Sequence, residues 1–362
     1  MRTKLEPKTA LDSTGSPPSE PRLRPKVADR GGKGDEFRRI AGQKKAQKAN
    51  PAPPTLEPRV VELPEGYPKS VDLGALARAA KEILSAQGMR EADFMGVRRL
   101  MLTDADLTLF DSPVIPVLLR HNQSHELLNH PDTHEPLRLG IGPDRDVMKE
   151  YNAVRGAHEE IAWKEYTPEP ASVSHLANIL AAKEILPTIH SVKKANADES
   201  SREIVVTARG GDDSVVAGIR ELLGRHGARL DGAVMLYHPE HRQKLGLTDE
   251  VKGQGRKKAL AMAALLTLFD PQSATLKRVR FMDDNDENLI AAMQLLPKLF
   301  PNIRFEFVDV VHLGQGRFEP RLVARSQRGG GIKDAAGKRL DEAQISAYRS
   351  QDAPLPPAQI QE

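Results

Sequence analysis

Two carboxylates one residue apart, Asp104 and Asp106, follow directly on the apolar run Leu100, Met101, Leu102, with Thr108 two places further on. An apolar run that ends abruptly in acids reads as a strand delivering them to its C-terminal edge, where open parallel sheets bind ligands. Taken alone, such a pair also reads as a capped turn, because Asp and Thr satisfy the backbone of turns and helix N-termini. Two further runs end in a similar way. Ile204, Val205 and Val206 lead into Thr207 and a glycine pair, and Val279, Phe281 and Met282 lead into Asp283, Asp284, Asn285 and Asp286. Between these two runs, Lys257 and Lys258 stand in the first turn of an apolar stretch, 253–269. Cations at the positive end of a helix oppose its dipole unless an anion such as phosphate sits there. Four consecutive acceptors exceed the single cap that a helix needs, so a cation or backbone amides must relieve their repulsion.

The elements that would position these groups follow from hydrophobic spacing. Short continuous apolar runs of this kind are expected of buried parallel strands. A further brief strand is expected at 233–237 and a last one from Phe305 to Val311. Helical spacing predicts a helix over 71–87, with Asp72 as its cap and Gly88 as its stop, and others over 213–226 and 253–269. A helix from Ser172 to about Asn196 should be kinked or split at Pro187. Strands alternating with helices give an α/β fold with a mainly parallel central sheet.

The rest of the chain bounds this core. Of 362 residues only 39% are hydrophobic and 27 are Pro. Residues 1–66, rich in Pro, Lys, Arg, Gly and Ser, cannot bury enough surface to offset chain entropy and are expected to be disordered. The basic run Lys33 to Lys48, with Arg38, Arg39, Lys44 and Lys45, reads first as a solvated tail and second as an arm for phosphate backbones. Residues 67–97 form a helical extension, packed on the domain or serving as an oligomer contact. The domain spans 98–325, with an insert at 109–200, and 326–362 reads as a flexible tail around one short helix. His121 and His125 have the spacing of a helical zinc pair, but no Glu adjoins them, and a polar loop with His130 and His134 is the preferred reading. Trp163 reads as a half-buried anchor. There is no Cys, the net charge is +3, and no apolar run reaches the length that spans a bilayer. The composition is that of a soluble, cytoplasmic protein without a membrane partner.

The ordered set DADLT, VVT, the RKK segment and FMDDNDEN resembles the haloacid dehalogenase superfamily, over residues 98–312. The VVTARGG, RKKAL and DDNDENL segments look like phage-encoded members, and the layout is similar to the phosphatase domain of phage polynucleotide kinase. Leu107 stands in a slot that this superfamily commonly fills with Gly. The resemblance implies a three-layer Rossmann-like fold and a Mg²⁺-dependent phosphohydrolase in a bacterial or phage-infected cytoplasm. Asp104 would be the nucleophile that forms an aspartyl-phosphate, and Asp106 the general acid and base. Thr207 and either Lys258 or Lys257 would hold the phosphoryl group. Asp104, the Asp106 carbonyl and Asp284 would bind Mg²⁺, with Asp283 as a further candidate. The chemistry is consistent with these residue types, since a carboxylate attacks a phosphate ester only when cations neutralise the charge of both. Nucleic-acid 3′-ends and nucleotides are the expected substrates. The alternative is a binding or virion-associated protein that keeps the fold without turnover and uses its N-terminal arm on nucleic acid.

Overall fold

The computed structural model describes residues 56–112, 115–129, 134–136, 138–141, 166–170, 175–210 and 213–349. The basic run at 33–48, His130 and Trp163 lie outside the described residues. A short hairpin, β1 (Val60–Glu62) and β2 (Ser70–Asp72), precedes α1 (Leu73–Ala86). The Asp72 side chain caps α1 by accepting from the Gly74 amide at 2.9 Å, and Gly88 leaves the helix in the left-handed region, at φ +98°. Strands β3 (Arg99–Thr103) and β4 (Phe110–Asp111) follow. Next come β5 (Ile115–His121), β6 (Arg138–Ile141) and β7 (Tyr166–Pro170), then α2 (His175–Leu180), β8 (Lys183–Glu184) and α3 (Leu186–Asn196). The remaining elements of the parallel part are β9 (Ser201–Thr207), α4 (Ser214–Arg225), β10 (Gly232–Met235), α5 (Pro239–Lys244), α6 (Gln254–Phe269), β11 (Arg278–Asp283), α7 (Asp286–Leu299) and β12 (Arg304–His312). The described chain closes with β13 (Phe318–Ser326), β14 (Ile332–Asp334), β15 (Arg339–Leu340) and α8 (Glu342–Ser346).

Eight strands form one sheet in the order β10-β9-β3-β11-β12-β13-β14-β15. The first five are parallel, and the last three add antiparallel. The fold is therefore mixed α/β around a large, mainly parallel sheet. Alternation along the central strands sends side chains to two cores on opposite faces. Leu100 and Leu102, Ile204 and Val206, and Val279 and Phe281 enter one core with α1, α6 and α7. Met101, Val205 and Met282 enter the other with α2, α3 and α4. Helix α6 is buried from Lys258 to Phe269, as expected of a helix that is apolar nearly all round. Helix α1 packs along it and belongs to the core of the domain.

Three expectations need correction. The stretch read as disordered up to residue 66 includes β1, and Leu56, Val61 and Leu63 pack against the first core. The expected last strand, β12, is followed by three antiparallel strands, so much of the segment read as a flexible tail completes the sheet, with Ile332 and Ile345 buried. Strands β14 and β15 are too short to carry a periodic signal of their own; pairing of β14 with β13 and of β15 with β14 orders them. The segment after Thr108, which shows no periodicity, contains the separate antiparallel sheet β6-β5-β7. His121 and His125 lie at its β5 end, where the His121 Nδ1 accepts from two backbone amides. A helical zinc pair is thus excluded. The expected helix at 172–196 is split by β8, and Pro187 sits in the first turn of α3, where its missing N–H costs nothing.

Ile332 gives a direct check of the ordered C-terminal segment. Replacing it by Ala should lower the unfolding free energy by about 2–4 kcal/mol, read as an earlier midpoint in urea, whereas in a flexible tail the change would leave the midpoint unmoved.

Candidate active site

Parallel registry brings the three acid- and hydroxyl-bearing strand ends to one edge of the sheet. Strand β3 lies between β9 and β11, with Thr103 opposite Val205 on one side and Met282 on the other. Asp104 leaves β3 at that edge, its amide donating to the Met282 carbonyl at 2.9 Å. Asp283 and Asp284 leave β11 beside it, and Thr207 ends β9.

Helix α6 settles which lysine enters. Lys258 is fully buried, with its Nζ 2.9 Å from Asp104 Oδ1 and 2.7 Å from Asp283 Oδ2. Lys257 points away, toward Asp249 and the ring of Tyr237. Helices α6 and α7 approach closely at their N-termini because residue 255 is Gly. A β-carbon there would lie 2.5 Å from the Glu287 carbonyl oxygen.

The acids of β11 divide the work. Asp283 is engaged at both oxygens: Oδ2 accepts from Lys258, and Oδ1 accepts from the Asn285 amide at 3.0 Å and from Asn288 Nδ2 at 2.9 Å. Asn285 is the helix cap, accepting from the Glu287 amide. Asp284 remains at the surface of the cluster, with the Thr108 hydroxyl donating to it at 3.3 Å. Carboxylate oxygens of Asp104, Asp283 and Asp284 all lie within 4.8 Å of one another, and this is the only such cluster among the described residues.

Three carboxylates here face one ammonium, so full ionisation would leave two negative charges without a counter-charge. Burial pushes the Asp104 carboxyl up to about 7; Lys258 opposes the shift, and Asp283 and Asp106 add to it. Burial likewise holds Asp284 well above the usual carboxylate range, with Asp283 and Asp104 contributing. For Lys258, burial works against the charged form, but attraction to Asp104 and Asp283 outweighs it and keeps the ammonium above its ordinary range. The deficit equals the charge of one divalent cation, and the donors are hard oxygens, so the residues fit a hard divalent metal ion, a class that includes Mg²⁺. Asp104 and Asp284 would hold it, because both Asp283 oxygens already accept from Lys258, Asn285 and Asn288.

Comparison with protein-family models, curated proteins and solved structures returns no match. The geometry alone carries the functional reading.

Asp106 has a separate partner that the sequence reading did not include. Arg209 grips it from two sides, Nε to Oδ2 at 2.7 Å and Nη2 to Oδ1 at 2.6 Å. Its Nη2 also reaches Ser112 Oγ at 2.6 Å and Asn178 Oδ1 at 3.1 Å. The Ser112 hydroxyl donates to Asp106 as well, and the guanidinium lies over the Phe110 ring at 5.3 Å. Thr207 is buried, and its Oγ1 accepts from the Arg209 amide at 3.2 Å. A cation two residues past the Thr, at an edge otherwise lined with acids, is the signal that could have found Arg209. Ser112 and Asn178 carry no comparable mark.

The turn that separates the two acids is tight. Leu109 and Phe110 amides both return to the Ala105 carbonyl, and the Leu107 amide donates to the Phe110 carbonyl at 2.8 Å. Leu107 takes φ +53°, the left-handed conformation that glycine adopts freely. Its side chain is buried in the second core, and that burial offsets a strain of about 1–2 kcal/mol.

Two measurements check this electrostatic arrangement. Between the ordinary carboxylate pKa and about 7, the native state binds more protons than the unfolded chain, so stability falls as pH rises through that window. Metal-free protein should therefore melt at a lower temperature at pH 7.5 than at pH 5, and Mg²⁺ should raise the melting temperature mainly at pH 7.5. Lys258→Met leaves the buried acids without their cation. It should cost about 3–5 kcal/mol at neutral pH and less at pH 5, as measured by chemical denaturation in chelator.

Proposed function

We propose that the protein is a Mg²⁺-dependent phosphohydrolase of the three-layer, Rossmann-like haloacid dehalogenase type, working through an aspartyl-phosphate on Asp104. The observation that carries this reading is the buried contact of Lys258 with Asp104 and Asp283, beside an Asp284 that is free to take a cation. Mg²⁺ held by Asp104, Asp284 and the Asp106 carbonyl supplies charge neutralisation at the phosphoryl oxygens when bound.

Each residue then has a distinct task. Asp104 Oδ attacks phosphorus in line while the ester oxygen leaves. Lys258 keeps the nucleophile ionised and in place, and Asp283 holds Lys258. Thr207 donates to a phosphoryl oxygen, which its partly engaged hydroxyl leaves it able to do. Asp106 protonates the leaving oxygen and later takes a proton from the water that cleaves the acyl phosphate.

Arg209 bears on that last role. While Asp106 accepts two bonds from the guanidinium, its carboxyl is turned to Arg209. An incoming phosphoryl group competes for the same guanidinium, which prefers bidentate oxyanions, and its arrival frees Asp106 to face the leaving group. Arg209 thereby couples substrate arrival to the release of the acid. Nucleic-acid 3′-ends and nucleotides remain the proposed substrates.

Phosphate release in Mg²⁺ tests the reading. Asp104→Asn should reduce turnover of every substrate to background. Asp106→Asn should lose about 10²- to 10⁴-fold on an alkyl phosphate but much less on an aryl phosphate such as p-nitrophenyl phosphate, whose leaving group needs no proton. Wild-type protein without metal-dependent turnover, or Asp104→Asn with undiminished turnover, would overturn the enzyme reading and favour the binding alternative.

A further inference from the structure

Tyr237 is 46% exposed and is the only aromatic among the large exposed apolar side chains of the described residues. Single exposed apolar groups are ordinary on protein surfaces; the position of this one is not. It lies two residues beyond Met235, which pairs with Thr207, so it stands on the same sheet edge as the phosphoryl site. Strand β10 is two strands from β3, a lateral distance of ~10 Å at the usual spacing. That is the reach of a nucleoside from its phosphate to its base.

The backbone of Tyr237 is held on several sides. The Leu236 amide donates to the Thr207 carbonyl at 2.9 Å, and the His238 amide to the Met235 carbonyl at 3.2 Å. Pro239 opens α5 immediately afterwards. His241, whose Nδ1 accepts from the Met235 amide at 3.0 Å, packs against His238 with the rings tilted by 39° and their centroids 4.4 Å apart. On the other side, a β-carbon at Gly210 would sit 3.2 Å from the Tyr237 carbonyl oxygen. The loop that carries Arg209 to Asp106 therefore rests directly on the Tyr237 backbone. Lys257 brings its Nζ to 6.0 Å from the tyrosine ring centroid, and its only ion-pair partner among the described residues, Asp249 at 3.9 Å, is itself 92% exposed. The edge thus presents an exposed aromatic side chain on a fixed backbone, a cation against it, and the phosphoryl site beyond.

We propose that Tyr237, backed by Lys257, is a platform on which the base of the substrate stacks, so that the leaving group is a nucleoside and the substrate class is a nucleoside phosphate. Stacking on an aromatic side chain tolerates any base, and Lys257 adds attraction for a neighbouring phosphate oxygen. The inference rests on the phosphohydrolase reading of the Asp104 site, and its test separates the two.

Full-length wild type, Tyr237→Ala and Tyr237→Phe are compared on a nucleoside 3′-monophosphate and on glycerol phosphate, which has no base. The ratio of kcat/KM between the two substrates should fall about tenfold or more in Tyr237→Ala and return in Tyr237→Phe. A ratio that Tyr237→Ala leaves intact overturns the platform while the phosphohydrolase stands. Calorimetric binding of the nucleotide and of inorganic phosphate, in Mg²⁺, gives a second readout independent of turnover. Loss of nucleotide affinity in Tyr237→Ala, with phosphate affinity retained, supports the platform even if wild type hydrolyses neither ester; equal affinities in wild type and variant overturn it. A 3′-phosphorylated oligonucleotide run beside the mononucleotide distinguishes a nucleic-acid end from a free nucleotide as the source of that base.

Discussion

A lysine ammonium with no exposure to water, set between two carboxylates from different strands, is the constraint on which the rest of the structure turns. Burying such a charge alone costs many kcal/mol, and even a paired one is tolerated only where its partners are fixed by further hydrogen bonds. The neighbourhood is built accordingly. Asp283 is held by the Asn285 amide and Asn288, and Asp104 is held through its own amide to β11. Apart from Thr267, helix α6 is apolar over the rest of its buried length, so its packing against α1 and α7 fixes where Lys258 ends. The arrangement still carries an excess of negative charge, which burial turns into a demand for a cation or for protons.

A second charge system lies beside the first. Arg209, Asp106, Ser112 and Asn178 form a network contributed by the β3–β4 turn, the residue after β4, α2 and the loop after β9. The two systems meet where the chain leaves β3, with Asp104 facing Lys258 and Asp106 facing Arg209. Two acids separated by one residue thereby occupy different electrostatic environments. A division of labour between nucleophile and acid requires that separation, and two carboxylates in one environment could not provide it.

Behind the site, the sheet is extended past β12 by strands that bear none of the site residues. Their part is mechanical. They cover the edge that β12 would otherwise expose, and the chain returns over the sheet so that the Tyr348 hydroxyl donates to the buried Asp309 at 2.7 Å. Asp309 is the register partner of Asp283 on the neighbouring strand, so the C-terminal segment braces the strand beside the acid cluster.

The elements of the parallel region were legible in the sequence because their signals are local. Val205 and Val206 before Thr207, or Phe281 and Met282 before Asp283, mark strand ends by residues a few positions apart, and the apolar face of α1 repeats every turn. Chain order alone therefore identified Asp104, Asp106, Thr207 and the acid pair as edge residues. The choice of Lys258 over Lys257 was not legible, because adjacent helical positions differ by about 100° of rotation and only packing against the sheet selects one. The separate tasks of Asp283 and Asp284 depend on which way the chain turns after β11. Arg209 meets Asp106 across 103 residues, a pairing that no local pattern encodes. Strands β14 and β15 are too short to show a period, and order comes to them from the edge they join. Residue types and local spacing thus determined which groups reach the edge of the sheet; tertiary packing decided which of them touch, because contacts between distant segments depend on register and helix rotation that no single stretch contains.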